Sequence, residues 1–175
     1  MTNQRAGTVT KLQASDGQVL GTFTVGNSPR GIAFDGANIW VANQGTDNVS
    51  KLLASDGTLL ATYPAGSGPL GIAVHQGKIW VSDYSGGTVT EMRPNGTILD
   101  TLNVGPFPAG FAFQGPYIWV ANTAPPTGSV TRRRITDNAR LFTYTLGILP
   151  RDVLFDGTSI WVSNSGDTTL NKITY

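Results

Sequence analysis

Gly31-Ile32-Ala33-Phe34-Asp35-Gly36-Ala37-Asn38-Ile39-Trp40-Val41-Ala42-Asn43 is a pair of short apolar runs joined at an Asp-Gly step. Behind it come Asn48 to Ala54, a second Asp-Gly step at Asp56-Gly57, and Thr58 to Tyr63. Two-residue Asp-Gly turns close tight hairpins because both central residues tolerate positive φ. The stretch therefore predicts four strands, A to D: Gly31 to Phe34, Asn38 to Asn43, Asn48 to Ala54 and Thr58 to Tyr63. Helix is argued against throughout, since no dozen residues lack glycine, proline or a β-branched cluster.

The same unit recurs. Trp40, Trp80, Trp119 and Trp161 are spaced 40, 39 and 42 apart, each inside an Ile-Trp-Val triplet. Asp16-Gly17, Asp56-Gly57, Asn95-Gly96 and Asp137-Asn138 keep that rhythm, and so do Asp35-Gly36, Gln76-Gly77, Gln114-Gly115 and Asp156-Gly157. Spacing changes fall in the expected loops, at Arg93-Pro94-Asn95-Gly96 and around Ala124-Pro125-Pro126-Thr127. Four antiparallel strands in about forty residues is the pattern of a β-propeller blade. The fold class expected is thus all-β, a propeller of four-stranded blades with four blade equivalents per chain. The tryptophans are expected between blades, because blades bury both faces against their neighbours.

Complete blades are expected at about 29–66, 69–105 and 108–147, within one repeat domain covering 1–175. Strands C and D precede them at 7–26, and strands A, B and C follow at 150–175. That makes 17 candidate strands, one C strand more than four blades need. Two closures are open: a four-bladed ring within one chain, or half of an eight-bladed ring made by two. In the second, incomplete terminal blades would join chains, since open edges invite pairing.

Composition narrows the function. The chain has 175 residues, 39% apolar and 13% charged, and a net charge of +1. Such a balance gives no electrostatic case for nucleic acid or an anionic membrane. There is no cysteine, which excludes disulfides and thiolate chemistry, and no cofactor or metal is expected. No apolar run approaches a membrane span, and no signal peptide is visible behind Met1.

From Ser28-Pro29-Arg30-Gly31 to Asn43, and again from Gly68-Pro69-Leu70-Gly71 to Asp83, the sequence resembles a bacterial propeller repeat. The group is that of streptogramin (virginiamycin B) lyase-like proteins and their NHL and YVTN relatives, and the resemblance runs over nearly the whole chain. It implies the propeller fold and favours an extracellular or cell-surface setting. Lyase members carry catalytic histidines in a Pro-His-Gly start to strand A, with a nearby glutamate and Mg²⁺. Here those starts read Pro29-Arg30-Gly31, Pro69-Leu70-Gly71, Pro108-Ala109-Gly110 and Pro150-Arg151-Asp152, without histidine. His75 lies beside an A–B turn and Glu91 in a strand C. The expectation is a non-enzyme.

Candidate ligand residues are those at the loop ends and those that break the repeat. Asn43, Asp83, Asn122 and Asn164 follow the Ile-Trp-Val triplets at equivalent positions, where they either cap the B–C turn or present a ring of oxygens. Arg30 and Arg151 begin strands A, and Tyr84 follows Asp83. Arg132-Arg133-Arg134 is the interface candidate: Arg133 falls on an apolar position of strand C, so it must be paired, at an edge or in an interface. The function expected is a scaffold binding a protein or carbohydrate through its loop face. The alternative is a self-assembling structural protein, and a lyase-like enzyme comes last.

Overall fold

A computed structural model describes residues 1–174; Tyr175, the last position of the expected final blade, lies outside the described residues. Among the described residues every regular element is a strand. They run β1 (Thr2–Asn3), β2 (Thr8–Leu12), β3 (Val19–Thr24), β4 (Pro29–Phe34), β5 (Asn38–Asn43), β6 (Asn48–Leu53) and β7 (Leu59–Pro64). β8 (Pro69–His75), β9 (Lys78–Asp83), β10 (Thr88–Met92), β11 (Ile98–Asn103), β12 (Pro108–Gln114) and β13 (Tyr117–Asn122) continue the series. β14 (Ser129–Arg134), β15 (Arg140–Thr145), β16 (Pro150–Phe155), β17 (Ile160–Asn164) and β18 (Thr169–Ile173) complete it.

They form five antiparallel sheets in chain order. The β4–β7, β8–β11 and β12–β15 sheets have four strands each; the first, β1–β3, and the last, β16–β18, have three. The described residues thus hold 18 strands, where the sequence suggests 17. The addition is β1, which pairs Thr2 with Val9 and Asn3 with Thr8. It is the tail of a strand B, with Met1-Thr2-Asn3 standing where Val41-Ala42-Asn43 stand one repeat later.

Within a blade, strands A and B meet with Phe34 opposite Ile39 and Ala33 opposite Trp40. The register then slips between Pro29 and Ile32, and it slips again between Pro108 and Phe111 and between Pro150 and Asp152. Bulges at sheet ends re-aim side chains, and these lie at Arg30, Ala109 and Arg151. The residue ahead of each strand-A proline takes the left-handed backbone: Ser28 (φ 50°), Gly68 (67°), Phe107 (54°) and Leu149 (55°).

The chain divides into two compact units, Met1–Val81 with Thr90–Asp100, and Ser82–Val89 with the residues from Thr101 on. In the first, Trp40, Ala42 and Val49 of one blade pack on Ile79, Val81 and Met92 of the next. In the second, Trp119, Ala121 and Val130 pack on Val153, Ile160, Val162 and Ile173. These are the inter-blade cores, and Trp40 and Trp119 are wholly buried. Three indole N–H groups are held by the A–B turn of their own blade: Trp40 Nε1 donates to Asp35 Oδ2 (2.7 Å), Trp119 to Gln114 Oε1 (2.9 Å) and Trp161 to Asp156 Oδ2 (2.6 Å).

Candidate functional site

The four residues after the Ile-Trp-Val triplets turn inward. Asn43, Asp83, Asn122 and Asn164 are buried. Asn43 Nδ2 donates to Asn48 Oδ1 (2.8 Å) and Ser50 Oγ (2.9 Å), and Asn122 Nδ2 to Ser129 Oγ (3.3 Å) and Thr131 Oγ1 (2.9 Å). Asn164 Nδ2 donates to Thr169 Oγ1 and Asn171 Oδ1, and Asp83 Oδ2 accepts from Thr88 Oγ1 (2.9 Å). They cap the B–C turns of their own blades and do not form an exposed ring of ligand oxygens. Gly26, Gly105 and Gly147 of the preceding D–A loops lie directly over Asn43, Asn122 and Asn164, leaving no room for a Cβ without displacement.

One residue further along stand Gln44, Tyr84, Thr123 and Ser165, of which Ser165 is exposed, Gln44 and Tyr84 are half-buried and Thr123 is buried. In the first unit Arg30 Nε donates to Gln44 Oε1 at 2.9 Å. In the second, Arg151 Nε donates to Ser165 Oγ at 3.2 Å, while Thr123 Oγ1 donates to the Phe107 carbonyl at 3.1 Å. Tyr84 lies against Phe107, ring centroids 5.2 Å apart, and Phe107 remains 40% exposed. A bulky residue with φ near +54° is rare, and Phe107 shares this left-handed backbone with Ser28, Gly68 and Leu149 at the same position of the other blades. Phe107 is absent from the sequence-derived candidates. Its signal was a phenylalanine ahead of a proline where the first two blades have serine and glycine.

The arginine run resolves residue by residue. Arg133 is buried as its apolar register demands, and its guanidinium donates to the carbonyl oxygens of Asn103 and Asn138. Arg132 stacks over Tyr117, 3.9 Å from the ring centroid, and over Trp119 at 5.2 Å. Arg134 pairs with Asp137 at the surface, 2.8 Å. The run is bonded within its own unit.

The titratable groups are engaged in their own blades. Burial works upward on the Asp35 carboxyl, but the Trp40 indole N–H, the Ala37 and Asn38 amides and the Asn38 side chain bring it down to about 2. The Trp161 indole, with Ser159 and Thr158, lowers Asp156 in the same way. Glu91 is buried beside Lys78, 2.5 Å away. His75 sits five residues before Trp80, in the place of Asp35, Gln114 and Asp156. The sequence pairs Gln76-Gly77 with Asp35-Gly36, one residue too far. His75 is half-buried rather than a surface turn residue, and burial lowers its pKa. Among the described residues no group of three or more His, Cys, Asp or Glu is placed to hold a metal ion.

Repeated four-stranded antiparallel sheets with inter-blade tryptophans define a β-propeller fold. Solved structures agree. The chain is similar to the hydrazine synthase of Kuenenia stuttgartiensis, with 20% identity over 93% of this chain and 51% of that one, TM-score 0.84. It is similar to a catalytically inactive virginiamycin B lyase from Staphylococcus aureus with quinupristin, with 14% identity over 99% of this chain and 64% of that one, TM-score 0.76. The computationally designed Ika4 protein matches with 14% identity over 83% of this chain and 90% of that one, TM-score 0.71. The chain therefore spans about half the length of the hydrazine synthase chain. No protein-family model and no curated protein matches it.

Proposed function

We propose that the chain is a non-catalytic propeller scaffold that binds a protein or carbohydrate ligand through the B–C and D–A loop ends of its blades. The observation that carries this reading is the Tyr84–Phe107 pair: an aromatic surface, 40% exposed at Phe107, placed at the left-handed position where the other blades carry serine, glycine or leucine. Aromatic faces of this kind stack on sugar rings or take an apolar side chain. In the same unit, the exposed Arg151, bonded to Ser165, offers a polar group at the start of another strand A. Against catalysis stands the fate of the acids, since Asp35 and Asp156 are occupied by indole and amide donors and Glu91 by Lys78. The starts of strands A carry Arg30, Leu70, Ala109 and Arg151 where the resembled lyases have histidine.

The test is a glycan and peptide array probed with the chain and with Tyr84→Ala and Arg151→Ala. The reading expects hits that both substitutions weaken. Hits that survive both would move the binding surface elsewhere, and turnover of a streptogramin-type lactone would overturn the non-enzyme reading. A second reading, a self-assembling structural protein, is supported by the exposed apolar faces of the first and last sheets.

A further inference from the structure

Each internal blade presents two unlike faces. The forward face carries the tryptophan, the strand-A residue opposite it and the second residue of strand C. The rear face carries the valine after the tryptophan and the fifth residue of strand C, Leu52, Met92 or Arg133 in the three internal blades. Inside the chain forward meets rear, as Trp40 and Val49 meet Val81 and Met92, and all four are buried.

The last sheet leaves its forward face open. Trp161 is half-buried, and Leu154 and Leu170 are 63% and 60% exposed. Terminal repeats that face water need polar outer surfaces. Here the repeat departs in the opposite sense. Leu154 replaces Ala33, Ala73 and Ala112, and Leu170 replaces Val49, Val89 and Val130. The side chains grow larger where water is the neighbour. The first sheet leaves its rear face open in the same way, with Met1 64% and Leu12 42% exposed where Val41 and Leu52 are buried.

A cation marks the register. Lys11 Nζ reaches forward from the first blade to the turn of the second, donating to the carbonyls of Ala54 (3.1 Å) and Ser55 (2.8 Å). Lys51 does the same to Pro94 O (3.1 Å) while lying over Trp40. Lys172, over Trp161 at 5.1 Å, is the equivalent cation of the last blade; it is exposed, and no carbonyl among the described residues receives it. The turn that receives Lys11 reads Ala54-Ser55-Asp56-Gly57. Its one exact copy in the chain is Ala14-Ser15-Asp16-Gly17, in the first blade. Gly57 lies hard against Phe23 of the preceding blade, whereas Gly17 has open space around it.

We propose that the last sheet docks face to face on the first sheet of a second copy of this chain, with Lys172 seated in the second copy's Ala14–Gly17 turn. The contact continues the blade-to-blade interface found inside the chain, and β2 keeps its pairing with β3. It is heterologous, so it closes into a ring or propagates as a filament according to its rotation.

Two variants of the full chain test it, each disabling one end: Leu170→Asp with Lys172→Glu, and Leu12→Asp with Asp16→Lys. Sedimentation velocity should show the unmodified chain associating, each variant alone monomeric, and their equimolar mixture forming a two-chain species and nothing larger. Near-ultraviolet circular dichroism of the tryptophans checks that both are folded. Lys172→Glu alone, at an exposed position whose one ring contact is with the half-buried Trp161, should leave the fold intact and weaken association about tenfold, the equivalent of losing one charge-assisted hydrogen bond. Association persisting in either double variant, a mixture that stays monomeric, or an unmodified chain that is monomeric throughout would each overturn the proposal.

Discussion

Lys11 Nζ and the Ser55 carbonyl oxygen, 2.8 Å apart, join two successive blades. The bond ties strand C of one sheet to the C–D turn of the next. Lys11→Met keeps the aliphatic stem over the blade but removes the donor. It should lower stability by about 1–2 kcal/mol in urea unfolding, in the range for a hydrogen bond to a charged group at a partly exposed site. No change would mean that the lysine is only draped over its neighbour.

The tryptophans should divide by position. Trp119→Ala removes a wholly buried side chain stacked on Tyr144 (5.7 Å) and should cost about 3–5 kcal/mol. Trp161→Ala removes a half-buried one, and in dilute solution should cost less than half as much. Equal losses measured by chemical unfolding in dilute solution would show that the last blade is covered there.

His75 supplies a pH dependence. Its folded-state pKa is lowered by burial, so the folded chain favours the neutral ring while the unfolded chain binds a proton near pH 6.5. The unfolded state then holds more protons below that pH, and stability falls as pH drops through about 6.5. His75→Gln, which places an acceptor where Gln114 already serves Trp119, should flatten this slope. Melting curves at pH 7.5 and 5.5 decide it; a slope unchanged by the substitution would assign it to other groups.

Leu149, like Phe107, is held at positive φ, where Gly68 does the same work one or two blades earlier. Leu149→Gly should be neutral or stabilising by up to about 1 kcal/mol, because it relieves a steric penalty of about 1–2 kcal/mol while making the unfolded chain more flexible. A loss above about 2 kcal/mol in thermal unfolding would mean that the leucine packs more than it strains.

The blade was legible in the sequence because its markers are local: Ile-Trp-Val for strand B, Asp-Gly for the turns, all on one period. β1 was missed because Met1 stands in the valine position and the strand has two residues. Asp35 read as a turn residue, since a bond to an indole five residues on follows only once the A–B hairpin is folded. Capping of the B–C turns by Asn43 and its equivalents was one of two readings the sequence left open, while the Lys11 bond to a turn more than forty residues away depends on how blades stack. No motif of one blade encodes that. Phe107 escaped notice because a residue before proline reads as an ordinary connector until its φ is known.

The account rests on terminal sheets whose open faces repeat the internal interface, and sedimentation of the full chain beside a variant lacking residues 1–14 tests this most directly. Face-to-face docking needs Leu12 and the start of the Ala14–Gly17 turn, so the full chain should associate increasingly with concentration while the shortened chain stays monomeric. Association that survives the deletion would contradict the account and point to strand exchange, in which removal of β2 frees β3 to pair with β18 of another chain.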